Sequence, residues 1–209
     1  LAVERGKYGT HIWDLSVAHT TSDDFTISSF LTNWVAILIW PFVKSSFFIM
    51  YLQLFKPYEW LRWATYIGLF ITWGFYISVI TATLYFTTPR PGQTWQESFR
   101  TPLYDKSFNM TIPIATGNLA LDLYIFIIPI IPVLSFHLPF RKNSGVLVVF
   151  TTGLIACVAS TLSMFVQTKL NKHEGDYTYF TLPVLLLSVA EMCVGISASC
   201  MPPCAPLFR

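Results

Sequence analysis

The sequence predicts an all-α, polytopic membrane helix bundle with five transmembrane helices, and three observations predict it. Of its 209 residues, 54% belong to the set AVILMFWYC and only 11% are charged, against roughly 25% charged in an ordinary soluble domain. The apolar residues are gathered into five long blocks separated by short polar clusters, the pattern of membrane-spanning helices. The blocks are continuous runs rather than alternating strands of about ten residues, so no outer-membrane barrel is expected. Lys+Arg 13 and Asp+Glu 11 are too few to cover a water-facing surface, which excludes a soluble globular enzyme, a nucleic-acid binder and a disordered chain. A net charge of +2 points to no acidic partner, and Cys 4 in a chain of this size implies no disulfide scaffold.

Taken in order, residues 1–29 are polar and form an expected extracellular segment, followed by a transmembrane domain over 30–209. The segment has neither an initiator methionine nor a signal-peptide core, so a further upstream stretch is expected. The first span covers about 30–55 and is broken by Lys44; the second, about 63–86, carries no charge over 24 residues. At about 1.5 Å per residue such a run exceeds a hydrocarbon core of about 30 Å. The third, about 112–134, holds Asp122; the fourth, about 146–166, is uncharged; the fifth, about 180–201, holds Glu191.

Basic residues are densest in the short connections, at Lys56, Arg62, Arg141, Lys142 and Arg209, which places those loops in the cytoplasm. The long connections are richer in acids and contain the sequon Asn109-Met110-Thr111, a candidate glycosylation site on the outer side. The expected topology has the N-terminus outside and Arg209 inside. Trp13, Trp34, Trp60, Trp63 and Trp95 fall near the expected water boundaries, where an amphipathic ring belongs.

Three ionisable residues lie within the spans: Lys44, Asp122 and Glu191. Each costs about 2.5–3.5 kcal/mol at mid-bilayer, so they are expected to face one another or a wet cavity. Counted from the expected outer boundary, Lys44 and Glu191 share a level, which predicts an ion pair between them with Asp122 close by. Asn33, Ile37, Trp40 and Lys44 share a helix face, as do Asn118 and Asp122. Pro41 removes the N–H that would reach the carbonyl of Ile37, and Pro129 and Pro132 do the same to Ile125 and Ile128. Lys44, Asn118, Asp122 and Glu191 are therefore the expected intramembrane polar cluster, as a ligand site or as a helix-packing element. His11, His19, His137 and His173 show no ligand spacing, so no metal site is expected. The absence of a phosphate loop, a nucleophile elbow or a zincin motif leaves no catalytic residue and no enzyme expected.

Between and within the spans the chain resembles the fungal rhodopsin-domain family of integral membrane proteins. Gly6-Lys7-Tyr8-Gly9-Thr10-His11 and Ile12-Trp13-Asp14-Leu15 resemble its glycine and histidine element after the second helix. Lys44-Ser45-Ser46 through Met50-Tyr51-Leu52-Gln53-Leu54-Phe55 resembles its third helix, Gly117-Asn118 with Asp122 and Pro129 its fifth, Lys142 and Gly153 its sixth, and Glu191 with Pro202 its seventh. The resemblance implies that the chain carries helices three to seven of a seven-transmembrane domain. It departs from the family at Gln167, where an arginine is frequent, and at Leu185-Leu186-Leu187, where a tryptophan is frequent. Cysteines often found in the family's outer segments are absent here.

The family name does not imply photochemistry. A microbial retinal protein needs a Schiff-base lysine on its last helix, and the last span here has Glu191 and no lysine, so no retinal or other cofactor is expected. The resemblance and the polar interior together imply a receptor-like protein of the fungal plasma membrane. It would sense a small-molecule or surface cue through the polar cluster and meet a cytoplasmic signalling partner at the short basic loops. The alternative is a transporter or membrane-embedded accessory protein of a metabolic pathway, using the same charges as a relay.

Overall fold

Why these residues form helices is visible at the helix starts. In the computed structural model, which describes residues 7–16, 22–54, 58–99, 101–135, 144–172 and 177–204, a 3-10 turn at Ile12–Asp14 precedes six α-helices. These are α1 (Asp23–Leu54), α2 (Glu59–Thr87), α3 (Trp95–Phe99), α4 (Pro102–Ser135), α5 (Ser144–Lys172) and α6 (Tyr177–Cys204). Ser22 caps α1: its Oγ accepts the N–H of Phe25 at 3.3 Å, and Asp23 and Asp24 in the first turn face the positive end of the helix dipole. Thr94 and Glu97 form a reciprocal capping box at α3, with bonds of 3.1 and 3.4 Å. Pro102 opens α4 at a position where no N–H is needed.

Two helices begin well before the spans the sequence predicts. The first starts at Asp23 rather than about 30, and α4 at Pro102 rather than about 112. Hydropathy marks where the chain enters lipid, whereas start signals such as the Ser22 cap and Pro102 decide where the helix begins, and both lie in polar sequence.

The five long helices close into a ring in the order α1, α2, α4, α5, α6 and back to α1, with α3 against α1. Successive long helices alternate in direction, so α1, α4 and α6 run one way and α2 and α5 return. The end of the ring where α1 begins is called upper below. Large apolar side chains cover the outside of the ring: Phe70 is 80% exposed, Trp63 70% and Phe42 63%. That surface matches hydrocarbon, not water. Four stretches, Asp23–Gln53, Glu59–Thr87, Asn109–Ile131 and Thr178–Ser197, are long and apolar enough to cross a membrane. In α5 the apolar stretch is the shorter Gly153–Lys169, yet the 29-residue helix fills the ring between α4 and α6. The chain is thus a multi-pass helical membrane protein.

The lower half of the ring is solid. Phe47, Phe48, Met50 and Tyr51 of α1 pack with Leu61 of α2 and with Ile125 and Ile128 of α4. Gly68 lets this core close: a Cβ there would lie 2.6 Å from Phe48 and 2.5 Å from Tyr124. The carbonyl of Ile125, deprived of its helical donor by Pro129, receives the Tyr51 hydroxyl at 3.0 Å. In lipid a freed carbonyl must find such a partner, and here it is a side chain of the neighbouring helix rather than a ligand.

Candidate functional site

Above this core every long helix contributes a polar group to one layer. From α1, the Lys44 ammonium, 2% exposed, forms an ion pair with the Asp122 carboxylate of α4. It also donates to the Asn118 carbonyl at 3.3 Å and lies 5.4 Å from the centre of the Trp40 ring, a cation–π contact. The second oxygen of Asp122 accepts the Ser160 hydroxyl of α5 at 2.5 Å and the Asn118 amide at 3.4 Å. Tyr76 of α2 donates to Asn118 Oδ1 at 2.6 Å. Glu191 of α6 completes the layer, buried beside the Asp122 carboxyl and the Ser160 hydroxyl.

The four expected cluster residues, Lys44, Asn118, Asp122 and Glu191, are therefore brought together, but the pairing differs from expectation. Lys44 pairs with Asp122, not with Glu191. The reason lies in the helix starts: Lys44 is 21 residues past the start of α1 and Asp122 is 20 past the start of α4, whereas Glu191 is only 14 past the start of α6. At about 1.5 Å per residue the first two sit at a common depth on parallel helices. Glu191 meets the pair from the side, through Asp122.

Tyr76 and Ser160 escaped the reading of the sequence, although a signal for each was present. Along α2 the buried residues Leu61, Thr65, Gly68, Thr72, Tyr76 and Val79 repeat at three and four, a mostly small and polar stripe on a helix otherwise rich in large apolar side chains. Gly153, Ala156, Ser160 and Ser163 form the same kind of stripe on α5, all buried. Small residues at this spacing mark a helix–helix interface in a membrane.

The upper half of the ring is hollow. A cavity of about 250 Å³ lies between the upper ends of α1, α2, α4, α5 and α6. A smaller chamber of about 80 Å³ continues it downward, sharing Ile37, Trp40, Ile114, Gln167 and Ser188 as common wall and bounded by Tyr76, Asn118 and Ser160 of the polar layer. Asn33 lines the larger cavity, as its place on the Lys44 face requires. Trp34 also lines it rather than marking a water boundary, because α1 begins eleven residues earlier.

Residues 7–14 dock on the upper end of α6. The Gly9 N–H donates to the Thr178 carbonyl at 3.0 Å, Thr178 Oγ1 returns a bond to the Thr10 carbonyl at 2.8 Å, and the His11 ring stacks between Trp13 and Tyr179. Gly9 is required here twice over, by its φ of +97° and because a Cβ would lie 2.5 Å from Leu182 Cδ2.

Asn109 is exposed but sits within the second turn of α4 rather than in a connection, and its sequon partners Met110 and Thr111 line the cavity. Of the expected cytoplasmic basic residues, Arg62 is exposed at the lower end of α2, while Lys56, Arg141, Lys142 and Arg209 lie outside the described residues, as do His19, His137 and His173.

No solved structure matches the chain with significance. It is 26% identical over 220 residues, covering all of this chain and 53% of the relative, to a "SAT4 family membrane protein" of Emericella nidulans. It is 25% identical over 212 residues, covering 98% of this chain and 51% of the relative, to "Fugralins biosynthesis cluster protein 2" of Gibberella zeae. The chain thus spans about half the length of these curated relatives. The fungal rhodopsin domain matches residues 1–209. With a helical membrane bundle, a polar layer to which all five long helices contribute and a match along its whole length, the chain belongs to the fungal rhodopsin domain family.

Proposed function

We propose that the protein is receptor-like: it detects an extracellular cue, a small molecule, in the upper cavity and reports occupancy through the polar layer beneath it. One observation carries this reading. The cavity reaches the layer through the smaller chamber, which shares Ile37, Trp40, Ile114, Gln167 and Ser188 with the cavity and Tyr76, Asn118 and Ser160 with the layer. A molecule that displaces Trp40 or Ser188 acts on the wall shared by both chambers, and small shifts at a bistable packed interface are the usual way such occupancy reaches the far side. Signalling partners would meet the basic loops around Arg62 and Arg141 to Lys142. The plasma membrane is the compartment this role needs, and the role involves no catalysis. Retinal plays no part in it: Lys44 is held by Asp122 and Asn118, and α6 has no lysine. A visible absorption band on adding retinal would overturn that.

A second reading is favoured by the name of one relative, a biosynthesis cluster protein. On that reading the chain is a transporter or membrane-embedded accessory protein of a metabolic pathway, with Asp122 and Glu191 passing a proton or solute. The test separates the two. A deletion strain complemented with the protein is scored for response to nutrient and surface cues, and proteoliposomes are assayed for proton and solute flux. The receptor reading expects a lost response that wild type restores and no flux; flux that depends on Asp122 or Glu191 reverses the ranking.

A further inference from the structure

The walls of the upper cavity define what fits there. Neither chamber is lined by an Asp, Glu, Lys, Arg or His among the described residues. The nearest cation, Lys44, is already engaged by Asp122 and covered by Trp40. An ion entering would lose its hydration without gaining a counter-charge, which is strongly unfavourable. Phe30, Trp34, Trp40 and Phe86 supply flat apolar surface, which suits a ring.

The polar groups on the wall both accept and donate: Trp34 and Trp40 carry indole N–H donors, and hydroxyls and amides accompany them. Ser29 already donates its hydroxyl proton to the Phe25 carbonyl at 2.9 Å, and Thr87 donates to the Thr83 carbonyl at 2.6 Å. The Asn33 amide NH₂ is used on the Ser29 carbonyl at 3.3 Å, and that of Gln167 on Ser163 Oγ at 3.1 Å. The two hydroxyl oxygens keep acceptor capacity, and each amide keeps its oxygen as an acceptor and one N–H as a donor. Ile37, on the wall of both chambers, adds a carbonyl whose helical donor is removed by Pro41. The volume lies just under the range of about 300–1,000 Å³ typical of drug-sized ligands.

We propose that this cavity is a binding site for a small, uncharged, one- or two-ring aromatic compound whose hydroxyl groups both donate to and accept from the wall, a phenol or aryl alcohol. The proposal rests on the reading of the cavity as a ligand site and adds the chemical class of the ligand.

Three probes of similar size test it in nanodisc-embedded protein by equilibrium dialysis, with binding to empty nanodiscs subtracted: 2-naphthol, 2-methoxynaphthalene and 2-naphthoate. The expected result is saturable binding of 2-naphthol at least tenfold tighter than of either other probe. Asn33→Leu and Gln167→Leu should each weaken 2-naphthol severalfold while weakening 2-methoxynaphthalene less. Ala36→Trp and Ser188→Phe fill the cavity from two different helices, and whichever elutes as wild type should abolish saturable binding. Naphthoate binding as tightly as naphthol, or no preference for naphthol over its methyl ether, overturns the ligand class while the cavity remains a ligand site. Saturable binding that survives both filling variants overturns the site itself, and with it the receptor reading; saturable binding of none of the probes overturns the proposed class.

Discussion

Asp122 accepts from Lys44, Asn118 and Ser160 and lies beside Glu191, so its carboxylate links α4 to the ring's other four long helices, to α2 through Asn118 and Tyr76. An unpaired charge left in the membrane interior is costly, and removing one member of a buried pair typically destabilises by about 3–5 kcal/mol. Asp122→Asn, which strands the Lys44 ammonium, should lower the unfolding free energy in micelles by about 3 kcal/mol. Glu191→Gln leaves the Lys44–Asp122 pair intact and keeps a donor and an acceptor beside Ser160, so its cost should be about 1 kcal/mol or less. Urea titrations of the two variants check this, and a larger loss for Glu191→Gln would mean that the lysine depends on Glu191. Tyr76→Phe removes one hydroxyl bond to Asn118 and should cost about 1 kcal/mol. The charges themselves are legible in the sequence as the only Asp, Glu, Lys or Arg residues within the expected spans. Their pairing is not, because hydropathy alone misjudges depth when α1 and α4 start in polar segments outside the apolar runs.

Element by element, the helices follow from composition and their close packing from glycine. Gly68 and Gly74 lie on one helix but meet different surroundings: a Cβ at Gly68 would press on Phe48 and Tyr124, whereas nothing lies within 4 Å of one at Gly74. Gly68→Ala should destabilise by about 1–3 kcal/mol through overpacking, although alanine is the better helix former. Gly74→Ala should be neutral or stabilise by up to about 1 kcal/mol. The melting temperatures of the two variants should therefore move apart, and a common shift would place the α1–α2–α4 interface elsewhere. The α2 and α5 stripes that carry Tyr76 and Ser160 show how such interfaces can be found: in an apolar span, the small and hydroxyl-bearing residues at three and four mark the inward face better than hydrophobicity does. Hydrophobicity carries little directional information once both lipid and protein interior are apolar.

At the scale of the molecule, a solid lower half, a charged middle layer and a hollow upper half divide the bundle into three levels. None of that division is legible from spans alone, because a cavity is a property of five helices that fail to meet, and neither Trp34 nor Gln167 reveals by its type that it faces one. The docking of residues 7–14 on α6 is likewise a tertiary fact, foreshadowed only by the Gly9 and His11 element that resembles the family. Gly9→Ala should release that segment by straining its positive φ and pushing on Leu182, seen as faster hydrogen exchange at Gly9 and Thr10 with the global unfolding free energy nearly unchanged. The Lys44–Asp122 pair ties α1 to α4 beneath the chamber and holds the polar layer together. Its most direct test is a double-mutant cycle on global unfolding with Lys44→Met and Asp122→Leu. Each single variant should lose about 3 kcal/mol and the double variant far less than their sum, a coupling of about 2 kcal/mol or more. Additivity within about 0.5 kcal/mol, or a stronger coupling of Lys44 to Glu191 than to Asp122, would contradict it.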